Sequence, residues 1–213
     1  MAKIKQGLFG PLTGKLGSVV GSSWMGIPYL KKAQKYVKNP KRSPAQKANN
    51  QKFAYVNEWL VPFHAYIVIG FDTLAIGKTA LAAALSSVYN TVFSGTMPEL
   101  AIDYSQMQIS KGSLRGLSNV TLSYVEPHLI DIRWDDNSGP YTHFDDQVMA
   151  VFYNEELKVT DGFIGNVNRT DRAYQFALDP QLIGKPLHAY IATTSFNRKK
   201  ASDTIYLGLL PPL

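Results

Sequence analysis

The stretch that comes nearest to a chemical motif is Gly77-Lys78-Thr79, which follows the apolar residues 66–69 and opens an alanine-rich helical pattern. The end of a phosphate-binding loop has this form. Such a loop also needs glycine five positions earlier, where the chain turns tightly and offers backbone N–H groups to phosphate. Asp72 stands there instead, and its carboxylate would repel the ligand. An ordinary loop and helix cap is the expectation. Asp135, Asp136, Asp145 and Asp146 bracket one loop, and oxygen-rich pairs of this kind can hold Ca²⁺. The Asp-x-Asp-x-Asp/Asn register and the distal glutamate of a calcium loop are missing, so turn-forming Asp and Asn are expected. His64, His128, His143 and His188 stand at no ligand spacing. There is no Gly-x-Ser-x-Gly elbow for a serine nucleophile, and no cysteine for a disulfide, a thiolate metal site or a thiol nucleophile. No enzyme, no cofactor and no metal are expected.

The chemistry the chain does offer is cationic. No residue before Glu58 is acidic, and eleven of the 22 Lys and Arg fall in that stretch. The rest of the chain holds the other eleven and all sixteen acids, a balance of five negative charges. A basic segment of this kind is drawn to phosphate backbones, to anionic membrane or to acidic protein surface, and charge alone does not separate them. The candidate partner-binding residues of this arm are Lys15, Trp24, Tyr29, Lys31, Lys32, Lys35 and Arg42, with Tyr36 as a further ring for stacking. A second candidate is the run Arg198, Lys199 and Lys200, at the expected tip between the last two strands.

The elements that must carry these residues follow from punctuation and period. Glycines at 7, 10, 14, 17, 21 and 26 disfavour a helix. A strand over 19–24, a turn at Met25-Gly26 and a returning strand over 27–31 are predicted, with Pro28 confining the second strand to a sheet edge. A lone hairpin is marginal in water and wants another surface. Ser43-Pro44 suits a helix start. Phe53, Val56, Trp59, Leu60 and Phe63 recur at helical spacing and predict a buried stripe, with Pro62 kinking or dividing the element and His64 near the apolar face. A second helix is expected from Thr79 to about Phe93, ending before Gly95.

After Glu99 the period changes to short β-rich runs at 101–104, 107–109, 119–124, 129–134, 147–153, 172–178, 187–194 and 204–207, separated by turn signals. Such spacing indicates a sandwich. Ile130, Ile132 and Trp134 are expected to face its core, with Asp131 and Arg133 on the other side. The fold class is therefore α+β: an extended N-terminal arm with a β-hairpin (1–42), a two-helix middle (43–98) and a C-terminal antiparallel immunoglobulin-like β-sandwich (99–213). The apolar stretch 59–69 is about half the roughly 20 residues a membrane span needs, and Pro62 and His64 interrupt it. No membrane span and no signal peptide are expected.

Residues 117–208 resemble a fibronectin type III or related immunoglobulin-like domain. Ile130-Asp131-Ile132-Arg133-Trp134 looks like that family's second strand, 148–153 like the third, 190–195 like the sixth, with Tyr190 as its strand tyrosine, and 202–208 like the closing strand. The resemblance implies an adhesive or spacer module without catalysis. The N-terminal part, with Gly14-Lys15-Leu16-Gly17, Gly21-Ser22-Ser23-Trp24 and Asn39-Pro40-Lys41-Arg42-Ser43-Pro44-Ala45-Gln46, looks like a family of uncharacterised bacterial proteins with a glycine-rich start. Residues 40–53 are also similar to a Pro-x-Ser/Thr-Pro-Ala-Gln helix start of phage virion proteins, except that Asn49 and Asn50 replace the usual arginine.

Three functional classes follow. The first is a non-enzymatic structural or assembly protein, a virion component (phage capsid, neck or tail) or a filament component, whose arm docks on other copies of itself or on other structural proteins. The second is a nucleic-acid-binding accessory protein that uses the basic arm, with Trp24, Tyr29 and Tyr36 stacking on bases. The third is a surface adhesin. The corresponding location is the virion or the cytoplasm.

Overall fold

The computed structural model describes residues 3–4, 10–35 and 41–213. Tyr36, Asn39 and Pro40, named above, lie outside them. The chain divides into two compact units, Met1–Ser43 and Pro44–Leu213.

The first unit is an antiparallel four-stranded sheet in chain order: β1 (Lys3–Ile4), β2 (Leu12–Leu16), β3 (Val19–Trp24) and β4 (Ile27–Lys32). The expected hairpin is thus β3 and β4, extended by two further strands. Its turn takes positive φ at both central residues, Met25 (49°) and Gly26 (81°), the backbone that matches the twist of a two-residue hairpin. A Cβ on Gly21 would sit 2.0 Å from the Leu12 carbonyl oxygen, so β2 and β3 approach only because that side chain is absent.

The second unit opens with α1 (Pro44–Leu60), proline in its first turn. A 3₁₀ turn at Val61–Phe63, forced by Pro62, separates it from α2 (His64–Gly70). Val56, Trp59, Leu60 and Phe63 are buried as the stripe predicts. Phe53, expected with them, is 52% exposed; it reaches only the rim, where its ring meets Tyr89 at 6.4 Å. Helix α3 (Ala80–Val88) starts on Thr79, whose hydroxyl accepts from the Ala82 N–H at 3.1 Å. It stops short of the expected end, because Phe93 is drawn into a hairpin of β5 (Phe93–Thr96) and β6 (Glu99–Ile102), opposite Ile102, and is buried there.

Seven strands make the sandwich: β7 (Ser118–Glu126), β8 (Leu129–Asp135), β9 (Gln147–Asn154), β10 (Val159–Asn168), β11 (Ala173–Ala177), β12 (Leu187–Thr194) and β13 (Ile205–Leu210). One antiparallel sheet has the order β11-β8-β7 and the other β10-β9-β12-β13. The strands expected to be second, third, sixth and last are β8, β9, β12 and β13. Strand β10 went unread, since its glycines weaken a strand pattern; a Cβ on Gly162 would lie 2.1 Å from the Ala150 carbonyl oxygen of β9. Met107 and Ile109 form no strand. Thr204 holds that segment instead, its hydroxyl accepting from the Ile109 and Ser110 N–H groups at 3.0 and 2.9 Å.

The four-stranded sheet is buried on both faces. Val148, Ala150, Phe152, Ala189 and Ile191 point into the sandwich with Ile130, Ile132 and Trp134. Met149, Val151, Tyr153, Tyr190 and Ala192 point the other way, onto Val56, Trp59, Phe63, Ile67 and Phe93. Helices and sandwich are therefore one unit, and the boundary expected at residue 98 falls in the turn of the β5–β6 hairpin, not at a break between bodies. Tyr190 is a strand tyrosine that serves the helical side, donating its hydroxyl to the Tyr104 carbonyl at 2.9 Å.

His188 completes this seam. Its ring stacks on Tyr104 at 4.1 Å and its Nδ1 meets the Tyr206 hydroxyl at 2.9 Å. Burial lowers its pKa below the usual histidine value, against a smaller upward pull from Glu155. Above about pH 6.5 the imidazole is neutral in folded and unfolded chains alike. Below it the unfolded chain takes up the proton first, so stability falls as pH falls. Urea midpoints should drop between about pH 7 and 5.5, and His188→Phe should flatten that drop. Gly162→Ala should cost about 2 kcal/mol or more in the same assay, because its Cβ would meet backbone that cannot yield.

Candidate attachment surfaces

The register of the N-terminal sheet sorts the arm residues onto two faces. Lys15 stands opposite Val20, and Val20 opposite Lys31; Ser22 stands opposite Tyr29, and Trp24 opposite Ile27. Directly opposed residues share a face. Lys15, Trp24, Tyr29 and Lys31 therefore lie together, and the Lys31 ammonium sits 5.9 Å from the centre of the Tyr29 ring. Lys32 falls on the other face with Leu16 and Leu30. Lys35 and Arg42 are exposed but belong to no strand.

The described residues of this unit form no core among themselves. Among its described residues only Gly21 is buried, and Leu16, Trp24, Met25, Ile27, Tyr29 and Leu30 are exposed by 41 to 65%. Its outer edge is open as well. The Ala33 N–H donates to the Ser18 carbonyl at 2.8 Å. Alternation along the ladder then turns the backbone groups of Lys31, Tyr29 and Ile27 toward β3, and those of Pro28, Leu30 and Lys32 outward. Pro28 thus places its missing N–H at the free edge, where no ladder bond is lost.

The tip of Arg198, Lys199 and Lys200 is exposed at one end of the sandwich and braced from within. The Asn197 side-chain oxygen accepts from the Lys199 N–H at 3.1 Å, and the Ser195 hydroxyl oxygen from the Lys200 N–H at 3.0 Å. The tip shares a cleft of about 380 Å³ with the Asp145–Asp146 loop. Phe144 and Phe196 stand exposed beside it.

Beneath that end lies a residue the sequence reasoning missed. Arg169 is 2% exposed and its guanidinium faces the buried Asp146 at 3.5 Å. It also donates to the Asn137 side chain at 2.6 Å, to the carbonyls of Gly116 and Arg115, and to the Thr193 hydroxyl. Its own carbonyl accepts from the Trp134 indole at 2.7 Å. Burial pulls its pKa down, and the Asp146 carboxylate offsets part of that. Asp136 behaves as the expected turn former, accepting from the Ser138 N–H at 3.1 Å. Asp146 does more, as the partner of a buried cation. The nearest signal was Asp145-Asp146 beside the unassigned stretch 155–172, but no local rule pairs Asp146 with an arginine 23 positions on.

At the other end of the sandwich a second cleft, of about 340 Å³, is lined by Tyr55, Glu58, Trp59, Val61, Pro62 and Lys158. Among the described residues, no cluster of three or more His, Asp or Glu could hold a metal ion. Among them too, no helix is long and apolar enough to cross a membrane.

The sequence profile of a family of unknown function, DUF6266, matches residues 8–208. The chain belongs to that family. The match runs from the N-terminal sheet to the last strand, so both units are family features. No curated protein matches the chain. Among solved structures it is similar to the fn3 domain of human collagen alpha-1(XX) chain, with 12% identity over 48% of this chain and 90% of that one and a TM-score of 0.35. It is also similar to the fn3 domain of human contactin 1, with 8% identity over 49% and 83% and a TM-score of 0.34. A β-sandwich protein from a computer-based redesign is 10% identical over 47% and 94%, with a TM-score of 0.34.

Arg169→Met should destabilise the second unit by about 3–5 kcal/mol in urea, because Asp146 is left charged and buried. Arg169→Met combined with Asp146→Leu should recover much of that loss, a non-additivity readable in a double-mutant cycle.

Proposed function

We propose that this chain is a non-enzymatic structural protein of a larger assembly and that the N-terminal sheet is its attachment element. The observation that carries the reading is that only Gly21 is buried among the described residues of that unit, while six large apolar side chains stand exposed. A sheet this short, with no described residue of its unit packed on either face, gains its apolar burial from another molecule. The open edge of β4 offers main-chain groups for strand addition as well. A virion component and a filament component are the settings that the sequence resemblance suggests.

A second reading, attachment to nucleic acid, is favoured by one observation: Lys15, Trp24, Tyr29 and Lys31 share a face, the mixture of cation and ring that single strands use. Its affinity would fall steeply with salt.

The full chain is expected to sediment as a multimer and to show slow amide exchange in β3 and β4. A chain starting at Pro44, which holds every described residue of the two cores, is expected to be monomeric. Monomers in both cases, with freely exchanging N-terminal amides, overturn the assembly reading. Absence of a gel shift with DNA or RNA at about 50 mM salt removes the second one.

A further inference from the structure

The two units differ in charge, and the difference points to an occupant for the N-terminal face. Residues 1–57 carry eleven cations and no acid, whereas 58–213 carry eleven cations and sixteen acids. The second unit carries acids at both ends of its sandwich. Turns of an antiparallel sandwich alternate between its two ends. The β7–β8, β9–β10 and β11–β12 connections share one end and bring Glu126, Glu155, Glu156 and Asp179 together, against Lys158 and Lys185. The opposite end holds Asp136, Asp145, Asp171 and Asp203 together with Arg172, Arg198, Lys199 and Lys200, so its charges are mixed.

The first of these ends also carries the aromatic cleft, since Lys158 of the β9–β10 turn and Glu58 of α1 both line it. Trp59 forms part of the wall, with Tyr153 at 5.5 Å and Tyr104 at 6.2 Å. Glu155 lies close by: after burial, its carboxylate is the chief influence raising the Tyr104 hydroxyl pKa. Glu58 and Glu155 are exposed and carry no ion pair among the described residues. Glu156, by contrast, is paired with Lys185 at 2.6 Å.

We propose that the occupant of the exposed N-terminal face is a second copy of this chain: the face of Lys15, Trp24, Tyr29 and Lys31 docks on the neighbour's cleft of Tyr55, Trp59 and Pro62, with Glu58 and Glu155 as its acidic rim. This rests on the attachment reading above and names the partner. Trp24 and Tyr29 supply apolar area to a wall that is itself aromatic and apolar. Lys15 and Lys31 meet two carboxylates that no ion pair among the described residues occupies, in a cleft whose own cation is Lys158. Two identical N-terminal sheets make poor partners for each other, because each carries only positive charge. The contact joins two different surfaces, so it propagates from copy to copy into a ring or an open chain. Nucleic acid would be drawn to the same lysines but is indifferent to Glu58 and Glu155.

The test uses the full chain in sedimentation velocity at low salt, with two charge-reversed variants, Lys15→Glu/Lys31→Glu and Glu58→Lys/Glu155→Lys. All four positions are exposed, and circular dichroism melts verify that both variants fold. The unaltered chain is expected to form concentration-dependent multimers that weaken as salt rises. Each variant alone should associate about tenfold or more weakly. A one-to-one mixture of the two should restore multimers, because each reversed surface then meets its opposite. If the lysine variant dissolves the multimers and the glutamate variant leaves them intact, the cleft is not the receiver; this proposal falls and the attachment reading stands. A monomeric chain, or multimers that form only when nucleic acid is added, also overturns it.

Discussion

Strands β9 and β12 are buried on both faces, and the arrangement of the larger unit depends on that. A strand with one wet face alternates, but these two run apolar through 148–153 and 189–192. Each therefore needs cover on two sides. The three-stranded sheet supplies one cover and the helices with the β5–β6 hairpin supply the other, which is why residues 44–102 cannot be separated from the sandwich. The close approaches at Gly70, whose absent Cβ leaves room for the Ile109 carbonyl, and at Gly162 let these layers come together.

Against that double burial the N-terminal sheet is the reverse case. It has regular register, defined turns and a free edge blunted by a proline, yet almost nothing is buried within it. Hydrogen-bonded strands whose described residues form no core are a poor source of stability, and the family match takes in β2, β3 and β4 together with the second unit. Apolar side chains and lysines share each face: Trp24, Ile27 and Tyr29 stand with Lys15 and Lys31 on one, and Leu16 and Leu30 with Lys32 on the other.

The polar interior follows the same economy of cover. Arg169 is held under the loops of one end by four acceptors and the facing Asp146 carboxylate, and its placement ties β8, β10 and β12 to the segments before β7. At the other end His188 and its tyrosines close the seam between sheet and helices, with the Glu155 carboxylate beside the Tyr104 hydroxyl. One end is thus fixed by a buried ion pair and the other by neutral rings, with exposed charge arranged around both.

Read by itself, the sequence determined what depends on neighbours a few residues apart. The β3–β4 hairpin followed from Met25-Gly26, the start of α1 from Ser43-Pro44, and the division after Leu60 from Pro62. The strands β8, β9 and β12 followed from their β-rich runs, and the charge asymmetry from counting. Tertiary structure alone decided what depends on residues far apart. It ended α3 early so that Phe93 could pair with Ile102, left Phe53 at the rim, and made a strand of the glycine-bearing residues 159–168. It also gave Asp146 a cationic partner and set Tyr190 on the helical side of its sheet. The continuous apolar runs of β9 and β12 were the one local trace of that outcome. They show that a strand is covered twice, and only packing shows by what, because burial is settled by the surfaces that meet and not by the residues that lie next to one another in the chain.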